Sequence, residues 1–505
     1  SGDLVLTFHR AFDETIDWKK SMDILIKHHF KRILTSGFSS NVDNGFTVLK
    51  EMITYSNNRI EIMPGGGVSA SNAQKIIAGP MLGHTDFRTA KVWVHFKADL
   101  KDAVLSFTEK NNKTNPPIIV NFSTLPGGDF NIATATLTGL EPGKTYNYSI
   151  TQKNSKEVLA TGSVTTQTLW QWRTDPPAFS FITGSCAYIN EPRFDRPGKP
   201  YGNDSSIFET MANTPANFHL WLGDNWYTRE VDYFTPWGLN YRASRDRSLP
   251  ILQKFWASMP QYAIWDDHDF GPNDGNSSFV FKDESREVFK NYWLNPSYGE
   301  NGKGVYTKFS FSDVDFFLLD DRFFRDADNL PDSINGQPNT QKRMYGDEQL
   351  RWLQNALATS SGTFKIIATG SQVLNPYSPY DCVRSFPVDY SMLMKTITDN
   401  KINGVLFFTG DRHHSEVIKQ ERNGTYPLYD VTVSPYTSGT HKFSGPEKNN
   451  IARVFGLDEK QNFGKVSVTG KAKERVLKVD FIGTKGENLG QWSVSEKELK
   501  TPKAN

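Results

Sequence analysis

Six apolar runs between residues 180 and 411 each stop abruptly at small, polar or acidic residues. They are SFITGSC (180–186), FHLWLGD (218–224), QYAIWDD (261–267), VDFFLLDD (314–321), FKIIATG (364–370) and VLFFTGD (405–411). Apolar runs this short and dense read as buried strands. Between them lie helical stretches such as DSSIFETMANT, DESREVFKNYW and DEQLRWLQNAL. Strands alternating with helices predict an α/β domain over residues 168–505. In such sheets ligands bind at the carboxyl ends of the strands, and here successive ends carry side chains able to bind metal.

The rest of the chain follows other periods. At 505 residues it is too long for one ordinary core, so two to four domains are expected. Residues 1–77 alternate the strand-like LVLTFHR, RILTSG and IEIMPGGGV with the helix-like WKKSMDILIKHHF and FTVLKEMITYSNN, which reads as βα units. Residues 78–167 hold five strand-like runs, AKVWVHF, AVLSFTE, NIATATLTGL, TYNYSITQ and ATGSVTTQT. They are joined by the turn-rich NNKTNPP, LPGGD and EPGK, and predict a small β-sandwich. Its run from Leu140 to Tyr148 looks like the tyrosine corner of fibronectin-type sandwiches. A hairpin, GKVSVTGKAKERVLKVDFIG, and a Lys-rich tail close the chain. No stretch approaches the ~20 apolar residues of a membrane span. The opening SGDLVLTFHRAFDE does not read as a signal peptide. With 57 basic and 56 acidic residues there is no general attraction for nucleic acid or anionic membrane, so an anionic substrate needs local capture. Cys186 and Cys382 read as two free thiols with different jobs in preference to one bridge.

The strand ends supply, in order, Cys186; Asp224 and Tyr227 in GDNWY; Asp267, His268 and Asn273 in WDDHDFGPND; Gln372 in TGSQ; and Asp411, His413 and His414 in GDRHHSE. A dinuclear phosphoesterase needs hard oxygen ligands, imidazoles, a bridging carboxylate and an acid for the leaving group. Each residue alone is a weak signal, because an Asp after a strand is common and a lone Cys is ordinarily a small core residue. Packing does not explain the whole set. His268 follows Asp266 and Asp267, and a neighbouring carboxylate would raise its pKa and suit it to proton donation; the bland alternative is a hydrogen-bonded core histidine. Arg322 and Arg412 are the cations best placed in sequence for phosphoryl oxygens, or ordinary ion-pair partners. His219 starts a strand and reads as structural. His441 lies in a polar loop that could rim the pocket. The aromatic, Pro-rich 375–390 reads as a lid or wall, with Cys382 no ligand.

The runs GSC, GDxxY, WDDHD followed by Asn, LDDRFFRD at 319–326, GDRH and VSPYTSG at 433–439 resemble the PhoD-like alkaline phosphatases of the calcineurin-like metallophosphoesterase superfamily, over roughly residues 78–495. The resemblance implies a four-layer α/β sandwich preceded by an Ig/fibronectin-like β-sandwich. It also implies a ferric iron (Fe3+) held by Cys186, Asp224, Tyr227 and His413. Asp224 would bridge to one or two Ca2+, or another divalent ion, with Asn273 and Asp411 among the ligands. His268, beside Asp267, would be the acid, with Arg322 and Arg412 as cationic contacts. Cys186 departs from the superfamily's usual Asp-x-His opening, and Asp411 replaces a His; more oxygen and less imidazole at the second site favours calcium over zinc. Thiolate and tyrosinate are anionic donors that stabilise ferric iron. A water between two cations can then be hydroxide near neutral pH and attack phosphorus in line.

The runs FHRAFD, RILTSG and IMPGGGV resemble the CutC family, a (β/α)8 barrel linked to copper homeostasis, over about three of eight units. Three strands cannot close a barrel, so residues 1–77 are expected to be a partial barrel fragment. The expected activity is hydrolysis of phosphomonoesters, phosphodiesters or both, by a monomer outside the cytoplasm. The rivals are a phosphodiesterase or phospholipase for lipid or cell-wall diesters, a catalytically silent glycan-binding protein, and copper handling by residues 1–77. Because no metal-competent set is completed by residues 1–77, a chain starting at Ala78 should keep most of the full chain's turnover of a chromogenic phosphate ester. Loss of turnover in a soluble, folded truncation would show that the segment contributes to the site.

Overall fold

The computed structural model describes residues 6–502 apart from 41, 58, 66–74, 99, 101, 112–114, 125–128, 154–156 and 379. The predicted turns NNKTNPP and LPGGD, and the end of IEIMPGGGV, fall partly outside the described residues. The chain divides into two compact units, Ser1–Ile77 and Ala78–Asn505.

In the first unit, β1 (Thr7–Phe8), β2 (Arg32–Thr35) and β3 (Glu61–Pro64) form a parallel three-stranded sheet in that order. Helices Trp18–Lys27 and Val42–Ser56 connect them. Asp17 starts the first helix by accepting the Lys20 N–H at 3.1 Å. A small core of Phe12, Met22, Leu25, Ile33, Met52 and Ile60 closes the unit.

The second unit opens with two four-stranded sheets. One contains β4 (Ile76–Thr85), β5 (Ala90–Phe96), β8 (Ser123–Thr124) and β9 (Asn131–Leu137). The other contains β6 (Ala103–Glu109), β7 (Ile118–Asn121), β10 (Thr145–Gln152) and β11 (Val158–Thr165). Buried and less buried residues alternate in β6 and β10, as the period-two pattern requires, whereas β5 buries Val92, Trp93, Val94, His95 and Phe96 in succession. Trp93 of β5 is fully buried and donates its indole N–H to the Asn291 carbonyl at 2.8 Å, joining this part to the α/β part.

The α/β part is built on two mixed sheets. In the first, the parallel strands β12 (Phe179–Gly184), β13 (Phe218–Leu222) and β14 (Gln261–Ile264) extend into the antiparallel β24 (Asn462–Thr469), β25 (Val476–Gly483) and β26 (Asn488–Ser495). The second has the order β15 (Thr307–Phe311), β16 (Val314–Leu318), β19 (Phe364–Thr369), β20 (Val405–Thr409), β22 (Leu428–Thr432), β21 (Ser415–Gln420) and β23 (Arg453–Leu457). A short hairpin, β17 (Ser333–Ile334) with β18 (Gln337–Pro338), stands apart. Between the large sheets lies an aromatic layer, with Phe181 on Phe316 at 5.3 Å and on Phe408 at 6.0 Å between ring centres. Leu350, Leu353, Leu357, Leu393 and Ile397, from helices Gly346–Ala358 and Pro387–Asp399, join the core of the second sheet. Helices Ile207–Asn213, Pro236–Arg247, Pro250–Ser258 and Lys282–Tyr292 bury their apolar residues with Ile182, Trp221 and Ala263 of the first. The result is four layers, helix, sheet, sheet, helix. Among the described residues no helix is long and apolar enough to cross a membrane.

Candidate metal centre

Four of the predicted site residues share one backbone feature. Cys186, Asp224, Asp411 and His413 have φ of 64°, 53°, 65° and 57°. Left-handed conformation costs a non-glycine residue roughly 1–2 kcal/mol, and it persists only where surrounding contacts over-determine it. Each follows a strand end at which the chain turns sharply out of the sheet. Gly223 (φ 92°) and Gly410 make two of these turns possible. A Cβ on Gly223 would lie 2.7 Å from Asp266 Cβ, and one on Gly410 would lie 2.5 Å from the Leu222 carbonyl oxygen.

The turns aim their donors at one another. Asp224 Oδ2 accepts from the Tyr227 hydroxyl at 2.9 Å and from the Cys186 thiol at 3.6 Å. His413 Nε2 lies 3.2 Å from the Tyr227 hydroxyl. The ligand-capable atoms of Cys186, Asp224 and His413 all lie within 4.8 Å of one another, as do those of Asp224, Asp267 and His268. Asp224 belongs to both groups. Asp269, which no sequence argument singled out, fixes the two loops together. Its Oδ1 accepts the N–H groups of Asn225 (2.6 Å) and Trp226 (3.1 Å), and its Oδ2 accepts that of Asp266 (2.9 Å). A hydroxyl from Ser434 donates to Cys186 Sγ at 3.2 Å.

The electrostatics favour a cation here. Burial, followed by the charges of Asp267, Asp269 and Asp411, holds the Asp224 carboxyl well above its usual range. Burial and Asp224 push the Cys186 thiol and the Tyr227 phenol well up. Burial, then Asp381, raises Asp411 to about 7. Four buried acids thus oppose one another's ionisation, and two of them share protons with the same oxygen of Asp224. A cation replaces those protons and reverses each of these oppositions. The donor set of thiol, phenol, carboxylates and imidazole therefore fits a metal.

The other predicted residues are distributed as follows. Asp267 accepts the N–H groups of His268 (2.9 Å) and Asp274 (2.7 Å). Although burial works against it, the charges of His268 and Arg322 hold its pKa below the usual carboxylate value. His268 is partly exposed and stacks on Tyr227 at 4.1 Å. Its pKa is lowered, not raised as its neighbour suggested: burial, with Arg322, Arg229 and Arg196, outweighs Asp267. Asn273 is exposed, with its amide on Asp274 at 2.7 Å, and the Asp274 N–H is held by Asp267. Arg322 is fully buried between Asp266 (2.5 Å) and Asp381 (2.7 Å). Arg412 points to Glu447 at 2.7 Å, with Tyr380 over its guanidinium at 5.0 Å. Gln372 turns to Glu416 and Thr432, each at 2.8 Å. His414 is buried beside Glu416, while the His441 ring lies 4.6 Å from His413. His219 is buried between Gln261 and Tyr436, and Cys382 donates to the Asn375 carbonyl.

Residues 185–476, more than half of the chain, match the PhoD-like phosphatase family, and the chain belongs to it. Residues 73–168 match a domain of unknown function, DUF7800. The fold is similar to that of a solved structure of PhoD, with a TM-score of 0.63 at 18% identity over 84% of this chain and 90% of that one. It is also similar to the purple acid phosphatase PPD1 of yellow lupin (Lupinus luteus), with a TM-score of 0.62 at 11% identity over 84% and 77%. Residues 1–87 match the CutC family. Over 76 residues the chain is 43% identical to a CutC family protein of Aliivibrio fischeri, covering 15% of this chain and 31% of that one. Over 84 residues it is 40% identical to the copper homeostasis protein cutC homolog of Homo sapiens, covering 17% and 30%. The chain thus spans about a third of the length of these curated relatives.

The raised acids make cation binding proton-linked. Their pKa values lie above the ordinary ones, so protons must leave as a cation enters, and affinity rises with pH. The apparent affinity of the metal-stripped protein for a divalent cation should climb up to about tenfold per pH unit for each proton released, through the range about pH 7 where Asp411 titrates. Titration calorimetry in buffers of different ionisation enthalpy counts the protons. Binding that is independent of pH would contradict the arrangement.

Proposed function

We propose that residues 78–505 hydrolyse phosphate esters with the help of bound metal ions. The observation that carries this is the convergence of Cys186, Asp224, Tyr227 and His413 on one point, with Asp224 shared by the neighbouring group of Asp267 and His268. We assign Cys186, Asp224, Tyr227 and His413 to one cation. We assign Asp224, Asp267 and Asp411 to a second; Asn273, which the resemblance implies there, has an exposed side chain and we leave it out. Two anionic donors, the phenolate and the thiolate, favour ferric iron at the first position through their charge, and a carboxylate-rich set favours calcium or another hard divalent ion at the second. The metals supply the charge that ionises a water and neutralises the phosphoryl oxygens.

The chain's own groups do the rest. His268 is the one partly exposed imidazole beside both carboxylates, and it gives its proton to the leaving oxygen. The flat face of Tyr227 beneath it limits how the ring can turn. Arg322 and Arg412 lend positive field, but their N–H groups are engaged with Asp266, Asp381 and Glu447. We therefore read them as positioning residues, not as direct phosphate contacts. We read residues 78–167 as an immunoglobulin-like spacer; the Glu141 N–H donating to the Tyr146 hydroxyl at 2.8 Å supports it. We read residues 1–77 as a partial barrel without a part in catalysis. An iron–calcium site suits a calcium-rich space outside the cytoplasm, and we place the protein there as a monomer.

Two measurements test this reading. His268→Ala should retain its metal and lose ~10²–10⁴-fold in rate on esters with poor leaving groups, while an activated ester with an acidic leaving group is largely spared. Equal losses on both esters, or loss of metal, would move His268 from the acid to the ligand set. A phenolate on ferric iron also gives a visible charge-transfer band, which Tyr227→Phe should abolish. A colourless, iron-free but fully active wild type would replace ferric iron with divalent ions alone.

A further inference from the structure

His413 presents its two ring nitrogens to different neighbours. Nε2 faces the convergent donors, 3.2 Å from the Tyr227 hydroxyl. Nδ1 lies 3.0 Å from the hydroxyl of Tyr201. An imidazole that binds a cation through one nitrogen must carry its proton on the other, and the group receiving that proton fixes both tautomer and ring orientation. We propose that Tyr201 is the positioning residue that holds His413 in the metal-binding tautomer; this rests on the ligand assignment of His413 above.

Tyr201 is placed for this from both sides. The Gly202 N–H donates to Asn190 Oδ1 at 3.0 Å, and the Asn203 N–H donates to the Thr437 carbonyl at 2.6 Å. Its ring meets Tyr188 edge-on at 5.0 Å. Gly439 leaves room for it, since a Cβ there would lie 3.1 Å from the ring. The backbone of His413 is fixed separately, by its N–H donating to Ser434 Oγ at 3.0 Å. The ring of His413 packs against His441 at 4.6 Å, and Tyr201 is the hydroxyl that meets its Nδ1. Tyr201 is 42% exposed, so its hydroxyl can be removed with little effect on the core. Sequence reasoning passed over it because it lies in a polar Gly- and Pro-rich loop, GKPYGND, that ends no strand.

The test is a Co2+ titration of the metal-stripped full-length protein, followed by the thiolate-to-cobalt absorption. Tyr201→Phe, which keeps the ring and removes the hydroxyl, should weaken Co2+ binding about 10–100-fold. Tyr188→Phe, whose hydroxyl donates to Asp195 and touches no ligand, should bind as wild type. Combining Tyr201→Phe with His413→Ala should bind no worse than His413→Ala alone, because the tyrosine acts only through that ring. Additive losses in the double variant, or wild-type affinity in Tyr201→Phe beside a loss in His413→Ala, overturn the proposal. Wild-type affinity in His413→Ala overturns it together with the ligand assignment.

Discussion

The carboxylate of Asp269 is the fixed point on which the geometry of the site depends. It touches no candidate cation position, yet it accepts backbone N–H groups from both loops that do. It sits at the third position of the short helix Asp267–Phe270, where its bond to the Asp266 N–H completes a capping box. One side chain therefore starts a helix, ends a strand loop and fixes Asp224 relative to His268. Without it, several buried donors would lose their partner at once, and each such loss costs about 1–3 kcal/mol. The left-handed turns at Asp224 and its counterparts can be held only against anchors of this kind.

A second constraint lies behind the first sheet. Arg247 is buried and has no carboxylate partner among the described residues; it lies among the rings of Trp93, Trp226, Trp256, Tyr292 and Trp293, at 3.8–5.5 Å. Burial lowers its pKa to about 9. Trp93 comes from the β-rich part and Trp226 from the loop that carries Asp224, so one cation is shared by both. The β-rich part is therefore a wall of the α/β part and not a loosely tethered neighbour. Hydrogen bonds from Lys91 to the Asn295 carbonyl and from Gln167 to the Ser310 carbonyl, each 2.9 Å, add to this joint, and residues 78–505 form one unit.

The strand ends were legible because dense apolar runs must stop where the chain leaves the core, and sites form at those stops. What the residues do after the stop was not legible. The resemblance implies Asn273 as a ligand, and only the folded chain shows that residue exposed with its amide on Asp274. Arg322 and Arg412 read equally as phosphate contacts or ion pairs, and only the folded chain brings Asp381 and Glu447 to them. The helix Pro236–Arg247 escaped notice because its buried face is charged: Arg242 is paired with Asp232 and Glu191 instead of packing an apolar stripe. Sequence alone gives the wrong sign for the His268 shift, because it shows an adjacent carboxylate but not burial or distant guanidinium groups.

The same donor types occur twice in this molecule, and the comparison shows what makes a metal centre. His414, Glu416 and Glu447 are buried and bring their ligand-capable atoms within 4.8 Å of one another, as close as the donors around Asp224. There, however, Arg453 meets Glu416 at 2.7 Å and Arg412 meets Glu447 at 2.7 Å. The amide of Asn375 reaches Oε1 of both glutamates, at 3.3 and 2.8 Å, where a cation would have to sit. The protein's own cations and amides have already neutralised that group, so a metal would have to displace guanidinium groups from buried partners. Around Asp224 the close side-chain partners are other acids, Cys186 and Tyr227, and no guanidinium group is paired with it among the described residues.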